Sequence, residues 1–223
     1  RYGLTDIEAG RNFWVLDKDG LITQKRENQY RRARKYLRPE TEDEGMSLLD
    51  VVKKSKPHVL IGLSGQGGIF TPEVLREMKN QPEGRRPVIF PLSNPTSKSE
   101  CSAEDVFLHT DGEAIFGSGS PFPDIEHNGK IIKSNQTNNV YVYPGLALGA
   151  YLGKCTKISD NMIIAAAEAL TELLEPADIM ERAIFPPLEE IREVSMHIAA
   201  RVMEQAFKED NLKNREARVY LKK

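Results

Sequence analysis

Between residues 47 and 118 the chain repeats one pattern. A short run of consecutive apolar residues is followed by a turn, and then by a side chain suited to start a helix. The runs are Val59-Leu60-Ile61-Gly62-Leu63, Val88-Ile89-Phe90-Pro91-Leu92 and Ala114-Ile115-Phe116. The helix starts are Ser47-x-x-Asp50, Thr71-Pro72 and Ser102-x-x-Asp105. In each, a hydroxyl can accept from an orphan N–H of the first turn, and Pro at the first helical position lacks only a donor that would be unpaired anyway. This predicts helices from Leu48 to Lys54, from Pro72 to about Met78, and from Ala103 onward. Strands apolar at consecutive positions are buried on both faces, which a parallel sheet covered by helices on each side provides. Crossovers of that kind are right-handed. The expected fold class is therefore α/β, a doubly wound parallel sheet.

The flanks extend the pattern. Leu4 to Ala9 reads as the tail of a helix stopped at Gly10, and Phe13-Trp14-Val15-Leu16 as a further buried strand closed by Asp17-Lys18-Asp19-Gly20. From Lys25 to Arg38 the chain is basic, and Glu40 to Glu44 is acidic. Two adjacent blocks of opposite sign read as a solvated insertion or surface helix in which the charges neutralise each other; a phosphate-contacting patch is the sharper alternative. After Tyr143 only helices are expected: a Gly/Ala-rich stretch from Pro144 to Gly153, a long apolar helix from Ser159 to Leu174, and a helix from Pro187 to Phe207. The last places Leu188, Ile191, Val194, Ile198, Val202 and Ala206 on one stripe. The expected division is a partial dinucleotide-type domain over 1–155 and a helical segment over 156–223 packed on it.

Composition removes several classes. With 31 Lys+Arg against 33 Asp+Glu among 223 residues, the chain lacks the basic excess of a dedicated nucleic-acid binder. No apolar run approaches the roughly 18 residues of a membrane helix. Cys101 and Cys155 are too few for a disulfide scaffold or a cysteine-based zinc finger, and fit a reducing compartment.

Ligands of open α/β sheets bind outside the carboxyl ends of the strands. Three such ends carry small or polar residues: Asp17 to Gly20, Ser64-Gly65-Gln66-Gly67-Gly68, and Ser93-Asn94-Pro95-Thr96. Asp17 ends a strand where an acidic side chain can accept from an adenosine ribose, although a plain D-G turn is an equal reading. Only 16 residues precede it, without a G-x-G-x-x-G turn, so on the functional reading the phosphate-binding turn is expected upstream of Arg1. Exposed N–H groups around Ser64 and Gly65 suit an anion or a closely approaching ring, against a tight strand-to-helix turn. Asn94, Asn138 and Asn139 lie in polar islands whose amides can hold a carboxylate, hydroxyl or carboxamide; turn formation competes. Gly117 to Phe122 reads as a loop. The four histidines show no metal-ligand spacing, and Cys101, just before a helix start, reads as a buried inert thiol in preference to an activated one.

The order of these blocks resembles the malic enzyme family. The blocks are Leu16-Asp17-Lys18-Asp19-Gly20-Leu21-Ile22, Lys56 to Gly65, Ser93-Asn94-Pro95-Thr96 with Glu100 to Asp105, Gly117 to Phe122, Asn138-Asn139-Val140-Tyr141 with Pro144-Gly145, and Phe185-Pro186-Pro187-Leu188. The resemblance implies an incomplete Rossmann-type sheet with a C-terminal helical layer. It also implies oxidative decarboxylation of (S)-malate to pyruvate and CO2, with reduction of NAD(P)+ and with Mg2+ or Mn2+. By that likeness Asp17, Lys18, Ser64, Gly65, Asn94 and Asn138 would meet the dinucleotide, and Asn94 and Asn139 the malate. The family's catalytic Tyr and Lys and its metal ligands have no matching positions here, so no catalytic residue and no metal ligand is assigned to this chain. Thr137 stands where family members usually carry Gly or Ala. NAD is preferred because Asp17 favours a free ribose 2′-OH, whereas Lys18 would allow NADP. The intact enzyme is expected to be a homo-oligomer, and mitochondrial, plastid and cytosolic members share these blocks. The competing reading is a non-catalytic, degenerate Rossmann-like interaction or regulatory module.

Overall fold

The computed structural model describes residues 3–80, 84–214 and 216–217. The chain divides into two compact units, Arg1–Ile115 and Phe116–Lys223. The fold is α/β. Four strands, β3 (Val59–Gly62), β4 (Val88–Pro91), β5 (Ile115–Ser118) and β8 (Asn135–Gln136), form a parallel sheet in that order.

In the first unit β3 and β4 pair in register from Val59↔Val88 to Gly62↔Pro91. Three helices follow their expected caps. In α2 (Leu48–Ser55) the Ser47 hydroxyl accepts from Asp50 N–H; in α3 (Pro72–Lys79) Thr71 accepts from Val74 N–H; in α4 (Ala103–His109) Ser102 and Asp105 form a full capping box. Their buried faces supply Val51, Val52, Val74, Leu75, Met78, Val106 and Phe107, which with Ile89 of β4 make the core. A short helix, α1 (Asp6–Gly10), is capped by Thr5.

Three expectations for this unit need correction. The run Phe13–Leu16 is not a buried strand: only Leu16–Asp17 (β1) is extended, pairing antiparallel with Gly20–Leu21 (β2), and Phe13 is 52% exposed. The D-G turn closes a two-residue hairpin there, so the apolar run never joins the parallel sheet. Strand β3 is buried on one face only. Leu60 and Gly62 are buried while Val59, Ile61 and Leu63 are exposed, so among the described residues one face of β3 is left uncovered. The charged stretch is surface-exposed at Lys25, Arg31, Arg32, Arg34 and Lys35, as a solvated insertion would be, but it is not one continuous surface helix and not all of its charges are solvated. It folds as three 3-10 turns (Gln24–Arg26, Arg31–Tyr36, Thr41–Asp43) with Arg38 buried. Arg38 lies 4.1 Å over the Trp14 ring, pairs with Glu40 at 3.0 Å and donates to the Arg11 carbonyl at 2.6 Å. The basic and acidic blocks do neutralise each other, through Arg38–Glu40 and Arg26–Glu44.

In the second unit a hairpin joins β6 (Ile125–His127) to β7 (Lys130–Ile132) across Asn128-Gly129, both with positive φ, the two-residue turn that such a sequence favours. Strand β8 then pairs parallel with β5. The rest is helical: α5 (Tyr143–Leu152), α6 (Asp160–Thr171), α7 (Pro176–Met180) and α8 (Ile191–Lys208). Val194, Ile198, Val202 and Ala206 of the expected stripe are buried among Leu146, Met162, Ala166 and Leu170. Leu188 is 48% exposed because residues 188–190 form a 3-10 turn that rotates it off the stripe. Among the described residues, no helix is long and apolar enough to cross a membrane.

Candidate functional site

Strands β3 and β4 lie side by side and end in two loops, Ser64–Phe70 and Ser93–Cys101. Backbone hydrogen bonds lace these loops together. Gly68 N–H donates to the Ser99 carbonyl at 3.1 Å, Phe70 N–H to the Glu100 carbonyl at 3.0 Å, and Gly65 N–H to the Ser93 hydroxyl at 2.9 Å. The Glu100 side chain, fully buried, completes the joint. Its Oε1 accepts from Ser64 N–H at 2.9 Å, Ser64 Oγ at 2.7 Å and Ser93 Oγ at 2.5 Å, and its Oε2 from Ser93 N–H at 3.3 Å. Burial alone raises the pKa of this carboxyl. The Ser93 and Ser64 hydrogen bonds outweigh burial and hold it below the ordinary carboxylate range, so it is ionised at neutral pH.

The pair of loops therefore forms one rigid platform at the carboxyl ends of adjacent parallel strands. Its outer rim is open: Ser64, Gly65 and Asn94 are all exposed. Gly65 has φ +66 and nothing within 4 Å of where a Cβ would sit, so a planar ring or a phosphate can approach its backbone. These features fit a dinucleotide, and they bring Ser64, Gly65 and Asn94 together at the expected strand ends.

Asp17 lies in the β1–β2 hairpin of the same unit. Its Oδ1 accepts from Asp19 N–H at 2.9 Å, and its Oδ2 from Arg26 at 2.7 Å and from the Tyr30 hydroxyl. Burial raises its pKa, but these bonds prevail and lower it. A carboxylate offers about four acceptor positions, so room remains for roughly one further donor such as a ribose hydroxyl. Nothing in the sequence spacing marks Arg26 and Tyr30 as partners of Asp17 beyond the basic run itself, whose arginine at the end of the first 3-10 turn reaches the hairpin. Lys18 is 75% exposed at its side chain and pairs with Asp19 at 2.9 Å.

In the second unit Asn138 and Asn139 stand at the turn entering α5. The Asn138 side chain accepts from Val140 N–H at 3.0 Å and so caps the 3-10 turn Asn139–Tyr141, the local role that competed with binding. Asn139 is exposed. Thr137 is accommodated because both its N–H and its hydroxyl donate to the Ser118 carbonyl, at 2.7 and 2.9 Å. Gly117 and Ser118 belong to β5 and are buried, not loop. Cys101 is buried, and burial pushes its thiol far up, which suits an inert side chain. Among the described residues no three His, Cys, Asp or Glu side chains are grouped to hold a metal ion. A recess of about 360 Å3 lined by Arg11, Arg34 and Lys35 shares no residue with the strand-end loops.

This platform at the carboxyl ends of parallel strands coincides with a family assignment. Residues 1–207 match the family model described as malic enzyme, NAD binding domain. The chain belongs to that family. It is 42% identical over 208 residues to an NADP-dependent malic enzyme of Dictyostelium discoideum, covering 93% of this chain and 38% of the relative. It is 40% identical over 210 residues to NAD-dependent malic enzyme 2, mitochondrial, of Arabidopsis thaliana, covering 93% of this chain and 34% of that protein. The chain thus spans about a third of the length of these curated relatives. The crystal structure of malic enzyme from Pyrococcus horikoshii Ot3 superposes with a TM-score of 0.66 at 23% identity, over 90% of this chain and 43% of that one, a likeness of fold. The parallel sheet and the C-terminal helices are those of a malic enzyme NAD-binding domain.

Proposed function

We propose that the chain works within a malic enzyme, as the part that seats the dinucleotide and orients malate for oxidative decarboxylation to pyruvate and CO2. The observation that supports this most is the platform made by Ser64–Gly65 and Ser93–Asn94, rigidified by a buried carboxylate yet open along its rim. Relatives named for NAD and for NADP both match this chain, so the coarse ligand is a nicotinamide dinucleotide. A bound dinucleotide would supply the hydride acceptor, and a divalent Mg2+ or Mn2+ ion, with ligands proposed to lie outside this chain, would supply Lewis-acid polarisation of the substrate oxygen.

The chain's own share is binding and orientation. Gly65 offers a backbone bare of side chain to the dinucleotide, and the exposed Asn94 amide offers a donor and an acceptor at the nicotinamide end. Asp17 accepts from the adenosine ribose through its remaining lone-pair position, while Arg26 and Tyr30 hold its carboxylate in place. That preference for a free 2′-OH favours NAD, with the exposed Lys18 available to a 2′-phosphate. In the second unit Asn139 donates to malate, and Asn138 fixes the turn that presents it. The intact enzyme is proposed to be a homo-oligomer.

Joining the chain to the N-terminal segment of a family relative tests this directly. Malate- and metal-dependent formation of NADH or NADPH is the expected result. Soluble, folded protein that binds no dinucleotide and turns over no malate would overturn the reading in favour of a non-catalytic module.

A further inference from the structure

Glu100 is a carboxylate with no exposed surface, and nothing in the proposed chemistry uses it. Buried carboxylates are costly unless hydrogen-bonded, and here neutral donors from two loops supply four hydrogen bonds. Three of the four hydrogen bonds converge on Oε1, and they come from both loops: Ser64 through its N–H and hydroxyl, Ser93 through its hydroxyl. The Ser93 hydroxyl in turn accepts from Gly65 N–H, so the link continues from Glu100 through Ser93 to the glycine at the rim. The strand leaves space for this arrangement. A Cβ at Gly62 would stand 2.6 Å from Glu100 Cγ, so a side chain at the end of β3 would evict the carboxylate.

We propose that Glu100 is a positioning residue: its buried carboxylate locks the Ser64–Gly65 loop to the Ser93–Asn94 loop and thereby sets the spacing of the groups that meet the dinucleotide. The proposal rests on the functional reading above. A residue that merely filled the core would be replaceable at the cost of stability alone. Glu100 differs because its acceptors fix the N–H of Ser64 directly and that of Gly65 through Ser93, and these two residues lie at the open rim.

The chemistry distinguishes its variants. In Glu100→Gln the amide oxygen can take the Oε1 position and keep three donors, while the NH2 at the Oε2 position faces the Ser93 N–H and gives up that weak bond for a mild donor–donor contact. Glu100→Ala removes all four acceptors. Ser93→Ala leaves the buried charge in place but breaks the connection to Gly65. The first readout is amide hydrogen exchange of the 223-residue chain without ligand. Ser64 and Gly65 amides should exchange at least tenfold faster in Glu100→Ala, and Gly65 alone in Ser93→Ala, while Leu92 N–H, bonded to the Gly62 carbonyl at 2.9 Å, stays protected. The second is steady-state kinetics of the protein joined to a relative's N-terminal segment. Dinucleotide KM should rise at least tenfold in Glu100→Ala and severalfold in Ser93→Ala, with near-wild-type values restored in Glu100→Gln.

Unchanged Ser64 and Gly65 exchange in the alanine variants overturns the proposal. So does a dinucleotide KM within twofold of wild type in folded Ser93→Ala protein, or a Glu100→Gln variant as damaged as Glu100→Ala. If Glu100→Ala does not fold, Ser93→Ala decides alone. A wild-type joined protein with no malate-dependent activity would instead overturn the functional reading, and the exchange measurement would still judge the lock.

Discussion

Gly149→Ala is the perturbation whose outcome the second unit fixes most narrowly. Helix α5 and helix α8 touch along Gly145 and Gly149, where the Gly/Ala-rich sequence lets two backbones approach. A Cβ at Gly149 would stand 2.7 Å from the Ala199 carbonyl oxygen, 2.9 Å from Val202 Cβ and 3.0 Å from Val202 Cγ1. None of these atoms is the free end of a flexible side chain; a carbonyl and a β-branched Cβ move only with their helix. Relief therefore requires α5 and α8 to separate by several tenths of an ångström along their contact. Overpacking of that kind costs roughly 1–3 kcal/mol. The substitution also gains roughly 0.5–1 kcal/mol, because Gly in a helix interior is entropically unfavourable relative to Ala. The difference is a loss of about 0–2.5 kcal/mol, centred on about 1 kcal/mol, which for a unit of this size lowers Tm by about 4–8 °C. Thermal unfolding followed by circular dichroism measures it. Because α5 begins at the turn bearing Asn138 and Asn139, the joined enzyme should also show a raised malate KM. A Tm equal to or above wild type would refute the close-packing argument, since helix propensity alone predicts stabilisation.

Further outcomes follow from single groups. Asn139→Ala should lower kcat/KM for malate by roughly one to two orders of magnitude, the equivalent of about 1–3 kcal/mol for a lost polar contact, with Tm unchanged because the residue is exposed; kinetics with and without saturating malate check this. Cys101 should resist thiol reagents at neutral pH until the chain unfolds, since burial raises its pKa; Cys155, only half-buried, should react first, and mass spectrometry of the labelled peptides shows the order. For Glu44, burial raises the pKa but hydrogen bonds from Thr23 and Arg26 prevail and depress it. A depressed folded pKa means stabilisation that is complete above the unfolded value of about 4.3 and lost as pH falls through the folded one. The stability gap between wild type and Glu44→Gln, measured by denaturant unfolding, should therefore be wide at pH 7, begin to shrink near the unfolded value and close only below the depressed folded one.

Much of this fold could be read from caps. Ser47, Thr71 and Ser102 each placed a helix start to the residue, because a hydroxyl that accepts an orphan N–H is a local event needing no tertiary context. Burial was less legible. Val59, Ile61 and Leu63 have the composition of a two-face-buried strand, yet one face is exposed, because coverage depends on neighbours that a strand's own residues cannot specify. The charged stretch misled for a related reason. Arg26 and Arg38 look solvated by type, but guanidiniums bury readily when carboxylates, carbonyls and an aromatic face satisfy them, and Asp17, Glu44, Glu40 and Trp14 do so here. The Asn128-Gly129 pair favours a hairpin turn by type, but its flanking strands are only three residues long, too short to stand out by alternation. Strand-end serines and asparagines drew attention from the sequence, whereas Glu100, which joins them, sits in a run of polar residues with nothing to mark it as buried.

The central claim is that the Ser64–Gly65 and Ser93–Asn94 loops seat the dinucleotide. Hydrogen exchange of the joined enzyme with and without saturating NAD+ tests it most directly. Slowed exchange confined in the first unit to residues 64–68, 93–98 and the hairpin around Asp17 is the predicted result. Saturable dinucleotide binding and malate turnover that leave those three segments unchanged would contradict it.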